Sequence, residues 1–362
     1  MGSRSRNLGP LSSRVGLQDS KRCRTATRLS GRPRFHNVTR TRRPTPGGPL
    51  PGRSRKAGGV RVIGYRYQRT LAAPVEIGGI GFISGVRVRA RFLPAPVDAG
   101  VVFRRIDLPG RPVVPARATH VTGTQRRTTI GPTPAGITLV EHLMASVAGL
   151  RIDNCIVELD GPEPPGLDGS AAGFVDALLG AGVVVQTARR AVYGVSAPLV
   201  ISSMGATIAL HPSEANGLRV SYLLDYGLTA PIPRQGFTVD LNPENFVREV
   251  ALCRTFLTEA EARELRAQGV GAHVTPADVL VFGPHGPIGN RLRFADEPAR
   301  HKVLDLIGDL ALCGFDLAGH LVAYRSGHAL NADLARRLTT LAEGLGPPII
   351  NPPGHDLEAR AA

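Results

Sequence analysis

The segment Arg300-His301-Lys302-Val303-Leu304-Asp305-Leu306-Ile307-Gly308-Asp309-Leu310 constrains this chain more than any other. Val303, Leu304, Leu306, Ile307 and Leu310 recur at helical spacing, which predicts a helix with one apolar face to bury. His301 and Asp305, four apart, then stand one above the other on that helix. Both are ordinary zinc ligands and could share one ion. An isolated H-x-x-x-D is more often a hydrogen-bonded pair on a solvated face, so further ligands must come from elsewhere in the chain.

A second helix is predicted from Thr138 to Gly149, with Thr138 and Glu141 spaced as a capping box and Gly149 as its end. Capping would be the ordinary use of Glu141. Yet Glu141 and His142 are adjacent, and a metal ligand and a general base could share one small site there. The H-E-x-x-H signature is absent. Strands are expected at Tyr65–Leu71 (an edge strand), Val86–Phe92 (with one basic face), Gly100–Arg105 and Asn154–Leu159. The glycines between Ile77 and Gly85 permit a tight turn but do not open a helix in a G-x-G-x-x-G pattern, which excludes a dinucleotide site. Asp168 and Ser170 read as cap residues ahead of another helix. Beyond them, Ala191–Leu210 and Leu218–Tyr226 alternate as strands, and Val247–Glu264 reads as mostly helical.

At 362 residues the chain has room for two domains. Its net charge of +15 belongs almost entirely to one end. Fifteen of its 44 Lys and Arg lie within residues 1–60 beside a single acid, Asp19, leaving 29 basic against 28 acidic residues elsewhere. The folded part is therefore close to neutral and is not expected to bind nucleic acid. Residues 1–65, rich in Arg, Ser, Gly and Pro, cannot bury enough surface to offset chain entropy and read as a basic disordered leader. A nucleic-acid or membrane arm, an organelle transit peptide and a wrongly chosen start codon are alternative accounts of it. Cys23, Cys155, Cys253 and Cys313 are widely spaced and show no C-x-x-C pattern, which argues for reduced thiols. No apolar run is long enough to span a bilayer.

Seven short motifs in one order give the chain a resemblance: V-E-H-L at 140–143, I-D-N at 152–154, D-G-P-E at 160–163, D-G-S-A at 168–171, R-T-F at 254–256, H-K-x-x-D-x-I-G-D at 301–309 and S-G-H-A-L-N at 326–331. Over roughly residues 66–340 it resembles the UDP-3-O-acyl-N-acetylglucosamine deacetylases, zinc enzymes of lipid A synthesis. The resemblance implies an α+β fold of two similar domains, each with helices layered on a mainly antiparallel sheet and the helices packed together between the two sheets. Domain I would span 66–187 and domain II 190–345, with a flexible tail at 346–362. It implies zinc held by His142, His301 and Asp305, although iron(II) would suit the same ligands. Glu141 would be the general base, His328 the partner acid oriented by Asp309, and Thr255 a donor to the developing oxyanion. Lys302 would meet the polar head of the substrate and Phe256 would stack on a sugar or uracil face. The substrate would be a UDP-linked acylated amino sugar, handled by a cytoplasmic monomer with at most peripheral membrane contact. A zinc deacetylase acting on another N-acetylated sugar, and a non-catalytic zinc homologue that binds the nucleotide sugar, are the competing readings.

Three departures from the family pattern stand out. Ile83 occupies the histidine position of the glycine-rich hairpin, residues 269–279 are less rich in Gly and Ser, and Gly123–Arg127 is more polar. The last two bear on acyl binding, which needs a continuous apolar groove.

Overall fold

The computed structural model describes residues 59–346 except 215, 216 and 277. The leader expected over 1–65 lies outside these residues as far as 58, as does the tail beyond 346. The leader's last residues are structured, because the first strand, β1, is Val60–Leu71.

After β1 the first half runs β2 (Val75–Ile80), β3 (Arg87–Pro94), β4 (Val101–Arg105) and β5 (Val113–Pro115). Three short strands follow, β6 (Val121–Gly123), β7 (Thr129–Ile130) and β8 (Ile137–Thr138), then α1 (Glu141–Gly149), β9 (Cys155–Leu159) and α2 (Ala172–Ala181). A long strand, β10 (Val183–Val195), leads into the second half. There the order is β11 (Leu199–Ser203), β12 (Ala206–His211), β13 (Leu218–Leu224) and β14 (Gln235–Leu241). An intervening block holds α3 (Pro243–Asn245), a π-helical turn (Phe246–Val250), β15 (Phe256–Thr258), α4 (Glu259–Ala267), β16 (Leu280–Gly283) and β17 (Gly286–Pro287). The chain then forms α5 (Glu297–Ala311), β18 (Asp316–Leu317), β19 (Gly319–Tyr324) and α6 (His328–Glu343).

The two halves repeat one topology. One five-stranded sheet has the order β2-β3-β9-β4-β5 and the other β11-β12-β19-β13-β14. In each, only the pairing of the last strand with the third is parallel (β9 with β4, β19 with β13). In each, a block inserted after the fourth strand leads into a helix, the last strand and another helix. The inserted helices α1 and α5 pack on one another, which makes the molecule an α+β fold of two similar domains. β1, β10 and β18 form a separate three-stranded sheet, β10 pairing antiparallel with β1 and parallel with β18, and β1 lies at its edge as its alternation predicts. The join expected at 188–189 falls inside β10.

Period-two patterning is obeyed on β3, where Val88, Ala90 and Phe92 are fully buried and Arg87, Arg89 and Arg91 point outward. Three local expectations are corrected. The 191–210 stretch is broken by Pro198 and by a two-residue hairpin at Met204–Gly205, both at positive φ as a type I′ turn requires. The 247–264 segment is not one helix. After the π-helical turn it leaves the helix at 253–255 and enters β15, because Arg254 is drawn into a buried ion pair with Glu297 and β15 pairs with β16 before α4 begins at Glu259. Thr138 does not cap α1. It belongs to β8, its hydroxyl paired with Thr129 and Arg127, and Leu139 at φ 56° turns the chain so that Val140 occupies the N-cap. The capping box forms at Thr258 and Glu261 on α4 instead.

Candidate active site

The helix predicted at 300–310 is α5, and its polar residues are buried along with its apolar ones: His301, Asp305 and Asp309 are each at most 4% exposed. They are not a solvated face because that side of α5 meets α1. The approach is close. A Cβ placed on Gly308 would lie 2.0 Å from the carbonyl oxygen of Glu141.

This contact brings His142 of α1 to His301 and Asp305 of α5. Oδ1 of Asp305 is 3.5 Å from Nε2 of His142 and 3.3 Å from Nε2 of His301, and one ligand atom from each of the three residues lies within 4.8 Å of the others. Two ligands each about 2.0–2.2 Å from a shared zinc in tetrahedral array stand roughly 3.3–3.6 Å apart, so the donor set fits that ion. Nδ1 of His301 donates to the Cys253 carbonyl at 3.0 Å, which orients the ring so that Nε2 faces Asp305. Burial pushes the pKa of His142 below the ordinary histidine value, favouring the neutral ring a metal requires. Burial works against ionising Asp305, but Lys302 and His301 outweigh it and hold the carboxyl well below its usual range. The Lys302 ammonium donates to Asp305 Oδ2 at 2.8 Å and lies 5.6 Å from the centre of the Phe256 ring.

Beside this cluster runs a chain of acid and base groups. His328, the first residue of α6, places Nε2 3.9 Å from Glu141 Oε1 and bonds through Nδ1 to Asp309 Oδ2 at 2.9 Å. Burial above all, aided by the negative charges of Asp309 and Asp305 and opposed by the nearby positive His328, pushes Glu141 up to about 7. For His328, burial disfavours the charged ring, yet the charge and hydrogen bond of Asp309 prevail and raise it to about 9.

All nine residues singled out from the sequence lie in or beside one cleft of about 570 Å³, bordered by Glu141, His142, Thr255, Lys302, Asp305 and His328 among others. Thr255 is fixed through its backbone, its N–H donating to Gly169 and its carbonyl accepting from Leu280. Phe256 is a wall more than a platform. It is 6% exposed and edge-on to Tyr226, Phe282 and His301, so little of its face is left for a sugar or uracil.

Sequence reasoning missed two groups. Thr128 donates its backbone N–H to Glu141 Oε2 at 3.1 Å and its hydroxyl to Asp309 Oδ1 at 2.5 Å, joining Glu141 to the carboxylate that supports His328. Asn331 donates to Asp309 at 2.8 Å. Asn331 stands within the 326–331 motif and could have been found there; Thr128 sits in no motif, and only the fold shows its place.

Comparison with known proteins places the chain in one family. The family model described as UDP-3-O-acyl N-acetylglycosamine deacetylase (LpxC) matches residues 68–340. A UDP-3-O-acyl-N-acetylglucosamine deacetylase of Nostoc sp. is 38% identical over 280 residues, 76% of this chain and 99% of that protein. The protein of the same name from Anaeromyxobacter dehalogenans is 42% identical over 274 residues, 75% of this chain and 87% of that protein. A bifunctional LpxC/FabZ enzyme of Chlorobaculum tepidum is 36% identical over 304 residues, 76% of this chain and 65% of that protein. The chain belongs to the UDP-3-O-acyl-N-acetylglucosamine deacetylase family.

Proposed function

We propose that this protein hydrolyses the N-acetyl group of UDP-3-O-acyl-N-acetylglucosamine, the committed step of lipid A biosynthesis, with zinc held by His142, His301 and Asp305. The observation that carries the reading is the convergence of α1 and α5, which sets three metal-type donors beside a base and an acid in one cleft.

Zinc in such an open site acidifies water and polarises a carbonyl. Glu141, its carboxylate steadied by the Thr128 N–H, takes a proton from the attacking water. Water oxygen adds to the acetyl carbon and the carbonyl electrons move onto oxygen. The Thr255 hydroxyl and protonated His328 stabilise that oxyanion, contacts stronger in the transition state than in the ground state. Collapse breaks the C–N bond, acetate departs, and His328 delivers a proton to the amine. Asp309 keeps the His328 ring charged and oriented, and is itself held by Thr128 and Asn331. Lys302 neutralises Asp305 and offers a cation at the cleft to the anionic head of the substrate.

A second cavity supports an acylated substrate. It measures about 140 Å³, is lined mainly by apolar residues such as Phe82, Ile83, Leu139, Leu257, Val270 and Val274 together with Arg126, Arg127 and Arg266, and shares Phe82, Arg126, Leu139, Thr255 and Leu257 with the catalytic cleft. The departures at Ile83 and 269–279 thus add apolar wall. Among the described residues no helix is long and apolar enough to cross a membrane. The reading carries a cytoplasmic monomer whose halves, about 66–187 and 190–345, each contribute part of the site.

The test is amine release from UDP-3-O-acyl-N-acetylglucosamine by the full chain, run beside Glu141→Ala and a chelator-treated sample. Turnover that needs metal and falls at least about a hundredfold in Glu141→Ala is expected. A folded, zinc-loaded protein that releases no amine would overturn the assignment.

A further inference from the structure

The hairpin between β2 and β3 and the segment between α4 and β16 come from opposite halves of the molecule and form facing walls of the 140 Å³ apolar cavity: Phe82 and Ile83 on one side, Val270, Gly271 and Val274 on the other. They are joined by His273. Its Nε2 donates to the Gly81 carbonyl at 2.9 Å, and since a carbonyl can only accept, that nitrogen carries the hydrogen. The imidazole lies flat on the hairpin. A Cβ on Gly85 would be 3.0 Å from Nδ1 and 3.2 Å from Cε1 of His273, so the glycine at φ 67° serves both the turn and the close approach.

The hairpin is immobilised from its other side. Glu163, fully buried, accepts from the N–H groups of Ile83 (3.1 Å) and Ser84 (2.6 Å), and a Cβ on Gly81 would collide with that carboxylate. One wall is thereby clamped to the first half by Glu163, and His273 ties the other wall to it.

We propose that His273 is a positioning residue for substrate selection: by latching residues 270–275 to the hairpin, it holds the two walls of the apolar cavity at a fixed separation and so limits the length of acyl chain accepted. The proposal rests on the deacetylase reading for the source of the chain, and on the cavity alone for binding it. Dispersion and transfer free energy accrue for each methylene that enters a preformed apolar space and cease once that space is filled. Affinity should therefore climb about fourfold per methylene and then stop climbing at a definite length.

The experiment is calorimetric binding of free saturated fatty acids of graded length to the full chain, for wild type, His273→Ala and His273→Gln. Turnover of matching UDP-3-O-acyl substrates is measured in parallel. Wild type should show a length cut-off. His273→Ala should move it to longer acids and weaken the best wild-type acid by about tenfold, the scale of one lost hydrogen bond in a fixed wall. In turnover that change should fall on KM, with kcat within about twofold, because His273 touches none of the catalytic groups. His273→Gln, whose Nε2 can still donate to the Gly81 carbonyl, should keep the wild-type cut-off. An unchanged cut-off in His273→Ala, an equal loss at every length, or wild type that binds no acid would overturn the latch. Length-selective acid binding by a protein that releases no amine would leave the latch standing and remove the deacetylase reading.

Discussion

Replacing Gly308 by alanine tests whether the contact between α1 and α5 sets the geometry of the site. The added methyl would lie 2.0 Å from the Glu141 carbonyl oxygen and 3.0 Å from the Glu141 Cα. Carbon and carbonyl oxygen tolerate roughly 3.3 Å at the closest, so the two helix backbones must part by more than about 1 Å. No flexible side-chain end can absorb the clash, because the obstacle is backbone. Separation would carry His142 and Glu141 away from His301 and Asp305, which lie on the other helix. A displacement of about 1 Å at a reacting centre costs on the order of a hundredfold in rate, and overpacking costs about 1–3 kcal/mol in stability. The assays are metal titration against a chelating dye, kcat/KM and equilibrium urea unfolding. Gly180→Ala on α2, where an added Cβ meets nothing within 4 Å, is the control and should be neutral or stabilising by up to about 1 kcal/mol. Wild-type metal affinity and turnover in Gly308→Ala, with stability changed by less than about 0.5 kcal/mol, would refute the reasoning.

Two further predictions concern the acid and the frame. With His328 raised to about 9, activity that needs its proton should fall as pH climbs through about 9. The sign for stability is the same: the contribution of charged His328 is complete below the ordinary histidine value of about 6.5 and is lost as pH rises through about 9. Asp309→Asn removes the charge responsible and should bring the alkaline limb of the kcat profile down by about one unit or more, and an unmoved limb would remove Asp309 as its cause. Arg254→Met would leave Glu297, fully buried, without the guanidinium that meets it at 2.9 Å. A loss of about 3–5 kcal/mol in urea unfolding is expected, with weakened metal binding because Cys253, next in the chain, orients His301. Loss below about 1 kcal/mol would mean that the pair is not structural.

Much of the site was legible because its residues sit in short motifs whose spacing a helix turns into proximity: His301 and Asp305 by one turn, Glu141 and His142 by adjacency. Their mutual approach was not legible. It depends on a single glycine at the crossing of α1 and α5, and no periodicity marks which glycine of a helix faces a neighbour. The helical reading also lost to tertiary demand at 253–256, where the buried Arg254–Glu297 pair and the pairing of β15 with β16 draw the chain out of the helix. The capping pattern at Thr138 failed for a related reason. The same Glu could serve a helix end or a reaction, and the positive φ at Leu139 gave it to the cleft.

The repeated topology of the two sheets has a consequence for assembly. Of the three metal-type donors, His142 comes from the helix of the first repeat and His301 and Asp305 from the helix of the second, and His328 arrives on a third helix. Among the described residues, neither repeat brings together three such donors by itself. An ion that binds all three donors therefore welds two quasi-independent modules, and its binding free energy is spent on keeping them in register as well as on chemistry. Loading becomes a checkpoint: a chain whose halves have closed wrongly presents only fragments of the donor set and would hold its ion weakly. Metal retention is thus a readout of correct closure, available before any substrate is added.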